Sequence, residues 1–314
     1  MLKLKPLGVR KDTIAASQQH QQKSAASTIV QDTNRSSEAT PADIITELYN
    51  AVTDERLNEI AKKYQQTYST GVPFPHIAID GIFPPRFLQK VSEENPENKV
   101  LEGGFHNPRE NGKQAVDKES DMGMYTKILF SVLKSSTFLK FLQALTGIHN
   151  LIADPHYRGS GMHFTRAGGH LNVHADFNRY EQFNIDRRVN TFIYLNDDWP
   201  EEYGGHLELW STDMKSCYQR ILPTFGRFVV FSSTDFSYHG HPQKLAAPEG
   251  RVRRSLALYY YTNGRPDAEC LNGKCGLGHS TLFQTPVGCE LCQDDVCKRY
   301  DENTPNWVMA NSQS

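Results

Sequence analysis

The sequence lacks the features that mark membrane proteins, secreted proteins and nucleic-acid-binding proteins. No apolar run reaches the roughly 18 residues that a membrane span needs, and the N-terminal stretch has no apolar core of a secretory signal. Lys and Arg number 34 against 36 Asp and Glu, so no basic excess is present for binding nucleic acid. We therefore expect neither a membrane nor a nucleic acid as a partner, and the sequence carries no legible signal for an oligomeric state.

Cysteine is also scarce, since 6 cysteines in 314 residues are too few for a disulfide scaffold. Five of the 6 lie beyond residue 266, and the Cys-Glu-Leu-Cys spacing at 289–292 is typical of zinc sites. One hypothesis is a structural zinc ion held by Cys270, Cys275, Cys289 and Cys292. Free thiols are the default interpretation without a secretory signal, and disulfides are the third alternative.

Composition divides the chain into three parts. Residues 1–39 are rich in Gln, Ser, Ala and Thr, which predicts a disordered N-terminal tail; its basic bias makes an organelle transit peptide the alternative. We accordingly expect a cytoplasmic protein, or an organelle-targeted one if the tail is a transit peptide. A folded domain is predicted at 41–266, and 267–314 forms a Cys-rich C-terminal extension.

Helical signals dominate the lead-in region, residues 41–150. Thr40 fits a helix N-cap, and the four-residue spacing of Ile44, Leu48 and Val52 predicts an amphipathic helix that the stretch from Gly71 to Pro75 ends. The other elements predicted here are a strand at 74–80, a helix from Pro84-Pro85, a loop at 95–121 and helices at 122–133 and 136–146.

From about Ile152 the pattern changes to short apolar or alternating runs between turn residues. These runs are Val189–Leu195, His206–Trp210, Arg227–Phe231 and Ser255–Tyr261. Several short strands at this spacing predict a β-sandwich or jelly roll. The helices before them make the fold class α+β, mainly β, with helices packed on a jelly-roll core at 151–266.

A metal-ligand pattern lies in the segment Gly-Gly-His-Leu-Asn-Val-His-Ala-Asp at 168–176. On a strand, His174 and Asp176 point to the same face because residues i and i+2 do so. One further histidine would complete a face of two imidazoles and one carboxylate, which suits non-haem Fe(II) and leaves positions open. Both His239 and His241 are candidates, and their spacing does not choose between them.

A candidate anion-binding group lies in Arg-Val-Arg-Arg-Ser-Leu-Ala-Leu at 251–258. On a strand, Arg253 and Ser255 share one face, while Arg254 and Leu256 share the other. An Arg followed two residues later by a Ser can hold a carboxylate by a bidentate ion pair and a hydroxyl. The alternative is a pair of solvated charges at a strand end.

Several blocks in order give a family resemblance over about Asp154 to Pro266. The chain resembles the Fe(II)- and 2-oxoglutarate-dependent dioxygenases, in particular the prolyl 4-hydroxylase-like group. The blocks are Gly-Gly-His-Leu-Asn-Val-His-Ala-Asp-Phe-Asn at 168–178, Arg-Arg-Val-Asn-Thr-Phe-Ile-Tyr-Leu-Asn-Asp-Asp-Trp at 187–199, Gly-Gly-His-Leu-Glu-Leu-Trp at 204–210, Tyr-His-Gly-His-Pro at 238–242 and Arg-Arg-Ser-Leu-Ala-Leu-Tyr-Tyr-Tyr-Thr at 253–262.

The resemblance implies a double-stranded β-helix with iron on His174, Asp176 and His239, all three then being catalytic. It favours His239 over His241 because the family's distal histidine heads a His-Gly-x-Pro segment. It also implies that the cosubstrate 2-oxoglutarate is bound by Arg253 with Ser255 and Tyr194, and that Phe164 stands where some relatives carry a second cosubstrate-binding tyrosine. The implied cofactors are Fe(II), with 2-oxoglutarate and O2 as cosubstrates and ascorbate as reductant.

We therefore expect a dioxygenase that hydroxylates an unactivated C–H bond, with a prolyl residue of a peptide or protein as the first substrate to consider. A small molecule or a sugar is the alternative substrate, because specificity in this fold resides in loops. A non-catalytic, cupin-like jelly roll that only binds a ligand is the alternative function. The loop at 95–121 and the turn at 177–186 are expected to shape the mouth of the site.

Overall fold

The computed structural model describes residues 39–99 and 109–286 with their side chains, and the backbone alone of 105–107, 290–293, 296–301 and 306–309. The tail predicted at 1–39 therefore lies outside the described residues apart from Ala39. The same holds for Cys289, while Cys292 and Cys297 are described by their backbone only.

Five α-helices lie in the lead-in region of the described chain. They are α1 (Pro41–Ala51), α2 (Asp54–Ser69), α3 (Pro85–Glu94), α4 (Met124–Leu133) and α5 (Ser136–Thr146). The Thr40 cap is observed as a capping box with Asp43. The single helix predicted up to Gly71 is wrong, since Thr53 accepts a hydrogen bond from the Arg56 backbone N–H and caps a second helix.

Among the described residues, no single helix is long and apolar enough to cross a membrane. Helices α4 and α5 together pass the same test of length and composition as a pair bent by 52°.

The strands follow in short segments between turns. They are β1 (His76–Ile79), β2 (Phe105–Asn107), β3 (Glu110–Val116), β4 (Ile152–Ala153), β5 (Gly161–Ala175), β6 (Arg179–Tyr180), β7 (Ile185–Tyr194), β8 (Leu207–Trp210), β9 (Cys217–Ile221), β10 (Phe228–Ser232), β11 (His239–His241), β12 (Val252–Thr262), β13 (Leu282–Phe283), β14 (Glu290–Gln293), β15 (Val296–Asp301) and β16 (Asn306–Met309).

Strands β1 to β13 form one antiparallel sheet in the described part of the chain. Its main order is β1-β10-β7-β12-β5-β11-β8-β9, and β14-β15-β16 form a separate sheet. Apart from β8 and β9, strands that are neighbours in this order are not consecutive in the sequence, as expected when a sheet closes on itself in a jelly roll. The predicted double-stranded β-helix with preceding helices is confirmed.

The helices cover one face of this sheet. On β12, Leu256, Leu258 and Tyr260 join the core cluster that the helices line, whereas Arg253 and Ser255 face a cavity on the other side. This is the alternation predicted for the strand, and it follows from the two-residue period of side chains. The helices therefore leave the opposite face of the sheet for chemistry.

The predicted loop at 95–121 contains strands, so that prediction is wrong. Strand β3 (sequence Glu-Asn-Gly-Lys-Gln-Ala-Val) pairs with β5, and β2 pairs with β3. Most of its side chains are only partly buried, so the sequence has no clear apolar alternation. Its place is set by hydrogen bonds to β5, which a polar segment makes as well as an apolar one.

The C-terminal extension also differs from expectation. The sheet continues past residue 266, because β13 pairs with β5. Cys270 and Cys275 form a disulfide, with Cα atoms 5.3 Å apart across a five-residue separation. Neither sulfur is then a thiolate, so the zinc site predicted on these two residues is wrong. The default interpretation of free thiols is wrong for them as well. Cys217 is free and buried.

Phe228 joins the sheet to the helices and gives a test of this packing. Its buried ring lies 5.8 Å from the rings of both Phe83 and Phe138, measured between centroids. We expect Phe228→Ala to lower the free energy of unfolding by about 3–5 kcal/mol in urea denaturation, because it leaves a cavity. Tyr218→Ala, on β9 and 49% exposed, should cost no more than about 0.5 kcal/mol. An equal loss in both variants would contradict this packing.

Candidate metal centre

Three predicted ligand side chains meet on the cavity face of the sheet. The ligand atoms of His174, Asp176 and His239 all lie within 4.8 Å of one another. Nε2 of His174 is 3.5 Å from Oδ1 of Asp176, and Nε2 of His239 is 3.4 Å from Oδ2. The pairing of β11 with β5 brings this about, because His239 lies directly opposite His174 in the register.

Hydrogen bonds fix the orientation of both imidazoles. Nδ1 of His174 lies 2.8 Å from the carbonyl oxygen of Asn172, and Nδ1 of His239 lies 2.9 Å from that of Ser237. A carbonyl oxygen only accepts, so each Nδ1 carries the proton and donates it. The lone pair of each imidazole is therefore on Nε2 and points towards Asp176, which is the tautomer that a metal ligand needs.

The Asp176 carboxylate is held by two residues of β7. Nδ2 of Asn190 donates to Oδ2 of Asp176 at 2.7 Å, and Nη2 of Arg187 forms an ion pair with the same oxygen at 2.9 Å. Arg187 is itself only 1% exposed, donates from Nε to Oδ1 of Asn190 at 2.8 Å, and places its guanidinium 3.4 Å from the ring centroid of Tyr259. These contacts leave the carboxylate little freedom to rotate.

The charge balance of the site favours the metal-binding protonation states. Burial alone would raise the pKa of Asp176, but Arg187 and the two imidazoles hold it well below its ordinary value. Burial lowers the pKa of His239 to about 4, although Asp176 opposes this shift. An anionic carboxylate and a neutral imidazole are the forms that coordinate a cation.

The predicted cosubstrate residues line the same cavity as the three ligands. Arg253, Ser255 and Tyr194 are all buried there. Nε of Arg253 donates to the carbonyl oxygen of Gly205 at 2.7 Å, and Nη2 donates to the Tyr194 hydroxyl at 3.3 Å. Gly205 permits this approach, because a Cβ there would lie 2.9 Å from Cδ of Arg253. The guanidinium is thus fixed at the cavity wall.

The strand register decides between His239 and His241 and shows on which face of the sheet Phe164 lies. The pairing of β11 with β5 shifts after His239, so His241 lies opposite Leu171 and outside the three-ligand cluster, although it still lines the cavity. Phe164 points away from the cavity into the core beneath the helices. Its neighbours His163 and Thr165 line the cavity instead. The prediction that Phe164 stands at a cosubstrate-binding position is therefore wrong.

Three site residues were not identified from the sequence. Arg187 and Asn190 lie in a block that matched the family, but a strand Arg and Asn carry no signal of the side chain they will meet. Lys113 lines the cavity from β3, in the segment predicted as a loop, and pairs with Glu110 at 3.1 Å. Only the pairing of β3 with β5 brings this lysine to the site.

The donor set fits a non-haem iron ion. Two imidazole nitrogens and one carboxylate oxygen, from β11 and from the end of β5, form the face that Fe(II) oxygenases use. The face leaves other coordination positions for a cosubstrate and oxygen, and Arg253 adds a fixed positive charge to the same cavity. The residues present therefore suit both the metal and a dicarboxylate.

Comparison with protein families agrees with this chemistry. Residues 160–261 match the model of the 2OG-Fe(II) oxygenase superfamily. The matched range runs from the start of β5 to near the end of β12 and so includes every proposed ligand. This confirms the predicted resemblance to this superfamily and the predicted enzyme class, a 2-oxoglutarate-dependent dioxygenase.

Similarity to individual proteins is more distant. The chain is 25% identical over 229 residues to prolyl 3-hydroxylase OGFOD1 from Mus musculus, a match that covers 68% of this chain and 39% of the relative. A prolyl hydroxylase from Trichoplax adhaerens, solved with a hypoxia inducible factor peptide fragment, has 17% identity, a TM-score of 0.48 and coverage of 66% of this chain and 91% of its own. A prolyl 4-hydroxylase from Phytophthora capsici has 18% identity, a TM-score of 0.44 and coverage of 75% and 72%.

The contact between Arg187 and Asp176 gives a test of the centre. We expect Arg187→Gln to weaken Co(II) binding by about 10- to 100-fold in a titration, because the change removes the cation that orients and balances the carboxylate. Arg188→Gln is the matched control, since Arg188 is also buried but contacts Glu269 and Thr262. Equal metal affinity in wild type and Arg187→Gln would contradict the role given to Arg187.

Proposed function

We propose that this 2OG-Fe(II) oxygenase hydroxylates a prolyl residue of a peptide or protein, with iron on His174, Asp176 and His239. The convergence of the two Nε2 atoms and the carboxylate within 4.8 Å, inside the cavity that Arg253 lines, carries the proposal. When bound, Fe(II) with 2-oxoglutarate and O2 supplies the oxidising power to place an oxygen atom on an unactivated C–H bond. Ascorbate, as the reductant that keeps the iron ferrous, belongs to the same proposal.

The protein's own residues do the positioning. Arg253 would bind the far carboxylate of 2-oxoglutarate through its Nη edge, since Gly205 already holds Nε. The hydroxyls of Tyr194 and Ser255 would add hydrogen bonds from the same wall. The apolar side chains of Leu171, Phe192 and Leu207 line the cavity too, so water is kept away from the reacting groups.

The choice of a prolyl substrate rests on the curated relative. That protein is named a prolyl 3-hydroxylase, and the part of this chain that matches it extends well beyond the metal-binding segment. The chain spans 39% of the relative's length, so the remainder of that protein has no counterpart in the match. A prolyl ring is compact and apolar, which suits the part of the cavity wall formed by Leu171, Phe192 and Leu207.

The proposal predicts oxygen transfer to proline-containing peptides. Purified protein with Fe(II), 2-oxoglutarate and O2 should add one oxygen atom to a prolyl residue, detected by mass spectrometry, and release an equal amount of succinate. Asp176→Ala should abolish both products, because the anionic ligand is lost. Succinate release without peptide oxidation would contradict only the choice of a prolyl substrate. The absence of both products with iron-loaded wild-type protein would contradict the whole proposal.

The role of Arg253 predicts a selective effect on the cosubstrate. We expect Arg253→Ala to raise the KM for 2-oxoglutarate by about 100-fold, which corresponds to roughly 3 kcal/mol for a buried charge-assisted pair.

Arg254→Ala is the matched control. Arg254 lies next in the strand but donates to backbone carbonyls of Leu195 and Asn95 on the opposite face. Its loss should lower the free energy of unfolding and leave this KM unchanged. If Arg254→Ala raised the KM for 2-oxoglutarate and Arg253→Ala did not, the two faces of the strand would be assigned the wrong way round.

A further inference from the structure

The C-terminal extension adds a strand to the edge of the metal-binding strand. In β13, Leu282 pairs with Ala175 and Phe283 pairs with His174. The backbone N–H of Gln284 continues this contact by donating to the carbonyl oxygen of Val173 at 2.8 Å. Since β11 pairs with His174 from the other side, this proposed ligand lies between two strands, one carrying His239 and the other carrying Phe283.

The two side chains of β13 point to opposite faces. Leu282 packs against the buried cluster that contains Val173, Ala175 and Trp210. Phe283 therefore projects to the face of His174, because directly paired residues share a face. The centroid of its ring lies 5.6 Å from that of the His174 imidazole, and the Arg109 guanidinium lies 5.6 Å from the Phe283 centroid. An aromatic ring from outside the family-matched range thus borders the metal centre.

A buried carboxylate anchors the extension on the jelly roll. Asp235 is 2% exposed and accepts hydrogen bonds from Nε2 of His279 at 2.9 Å, from the backbone N–H of Leu271 at 2.7 Å and from Arg265. Nδ2 of Asn178 donates to the same carboxylate at 3.3 Å, and the Asn178 side chain also accepts from the His279 backbone N–H at 2.8 Å.

The contacts of Asp235 join the extension to the metal strand. Asn178 lies two residues after Asp176, while His279 lies three residues before Leu282. Burial would raise the pKa of Asp235, but the hydrogen bond from His279 and the donors beside it lower the pKa to about 2. The carboxylate therefore stays ionised and keeps its partners over the physiological range, which fixes the start of β13 beside the site.

We infer that the C-terminal extension completes the active site and that Phe283 forms the wall beside His174 that the substrate side chain contacts. This inference rests on the proposed function. The half-buried aromatic face of Phe283 would pack against a compact apolar group such as a prolyl ring and exclude water from it. Phe283 is then a substrate-positioning residue, and the Asp235 contacts hold it in place.

The position of Phe283 can be tested in the full-length protein by fluorine NMR. The 16 phenylalanines are replaced by 4-fluorophenylalanine, and the signals of Phe283 and Phe231 are assigned from Phe283→Leu and Phe231→Leu. Phe231 is the internal control, because its ring centroid is 4.6 Å from that of His239. We expect both signals to shift or broaden when paramagnetic Co(II) replaces diamagnetic Zn(II).

The outcomes separate this inference from the proposed function. An effect on Phe231 without one on Phe283 would overturn the inference and leave the metal centre intact. No effect on either would show that the metal does not bind at the proposed ligands. Effects on both support the placement of Phe283.

Variants of the anchor test what holds Phe283. Asp235→Asn should abolish the Co(II) effect on Phe283 and retain that on Phe231. Asp213→Asn is the control, since Asp213 is exposed and its hydrogen bonds to described residues lie within its own turn, to Ser211 and Lys215. If Asp235→Asn does not fold, His279→Ala removes one donor and should weaken the Phe283 effect. A full effect in the folded anchor variant would overturn the role of Asp235.

The substrate contact is tested by steady-state kinetics with the peptide that wild-type protein oxidises. Phe283→Ala should raise the KM for that peptide about tenfold and leave the KM for 2-oxoglutarate unchanged. Phe283→Tyr, which keeps the ring, should restore most of the peptide affinity. An unchanged peptide KM in Phe283→Ala would overturn the substrate-contact role, as would equal changes in both constants.

Discussion

The buried negative charge of Asp176 is the constraint on which the rest of this structure depends. A carboxylate removed from water costs several kcal/mol unless a partner balances it. Arg187 provides that balance at 2.9 Å, and its guanidinium is in turn held by Asn190 and by the face of Tyr259. These groups come from the end of β5 and from strands β7 and β12, so the ion pair is maintained only while the strands keep their register. The packing of the sheet thereby holds in place the negative charge that a metal ion would bind.

Strand β5 connects this constraint to the fold. Its first half pairs with β12, its second half pairs with β11 and β13, and β3 pairs with residues of both halves. The same strand therefore carries His174, ends one residue before Asp176, borders the cavity wall that holds Arg253, and receives the C-terminal extension. A slip of one residue would turn His174 and Asp176 to the opposite face. The packing of the sheet and the geometry of the metal-binding residues consequently require the same register of this strand.

Local patterns predicted many elements because local interactions decide them. The cap at Thr40, the helices near 122–133 and 136–146, and the alternation around Arg253 each depend on residues close in sequence. The failures share a different cause. Strand β3 has no apolar alternation, and its pairing with β5 decides its conformation. The break at Thr53 depends on a side-chain cap that the apolar spacing before it does not reveal. The spacing of cysteines alone does not distinguish a disulfide from a zinc site or from free thiols. The disulfide between Cys270 and Cys275 therefore remained one of three alternatives.

The sequence by itself determined the fold class, the ligand types and the faces of β5 and β12, because a two-residue period fixes which side chains share a face. The spacing of His239 and His241 left both open and the family resemblance favoured His239. The tertiary structure decided between them, since that choice depends on where the register of β11 shifts against β5. It also brought Arg187 to Asp176 and Phe283 to His174, partners that are 11 and 109 residues apart in the chain. Contacts across such separations depend on how strands pair, and the sequence of one strand does not specify which strand will lie beside it.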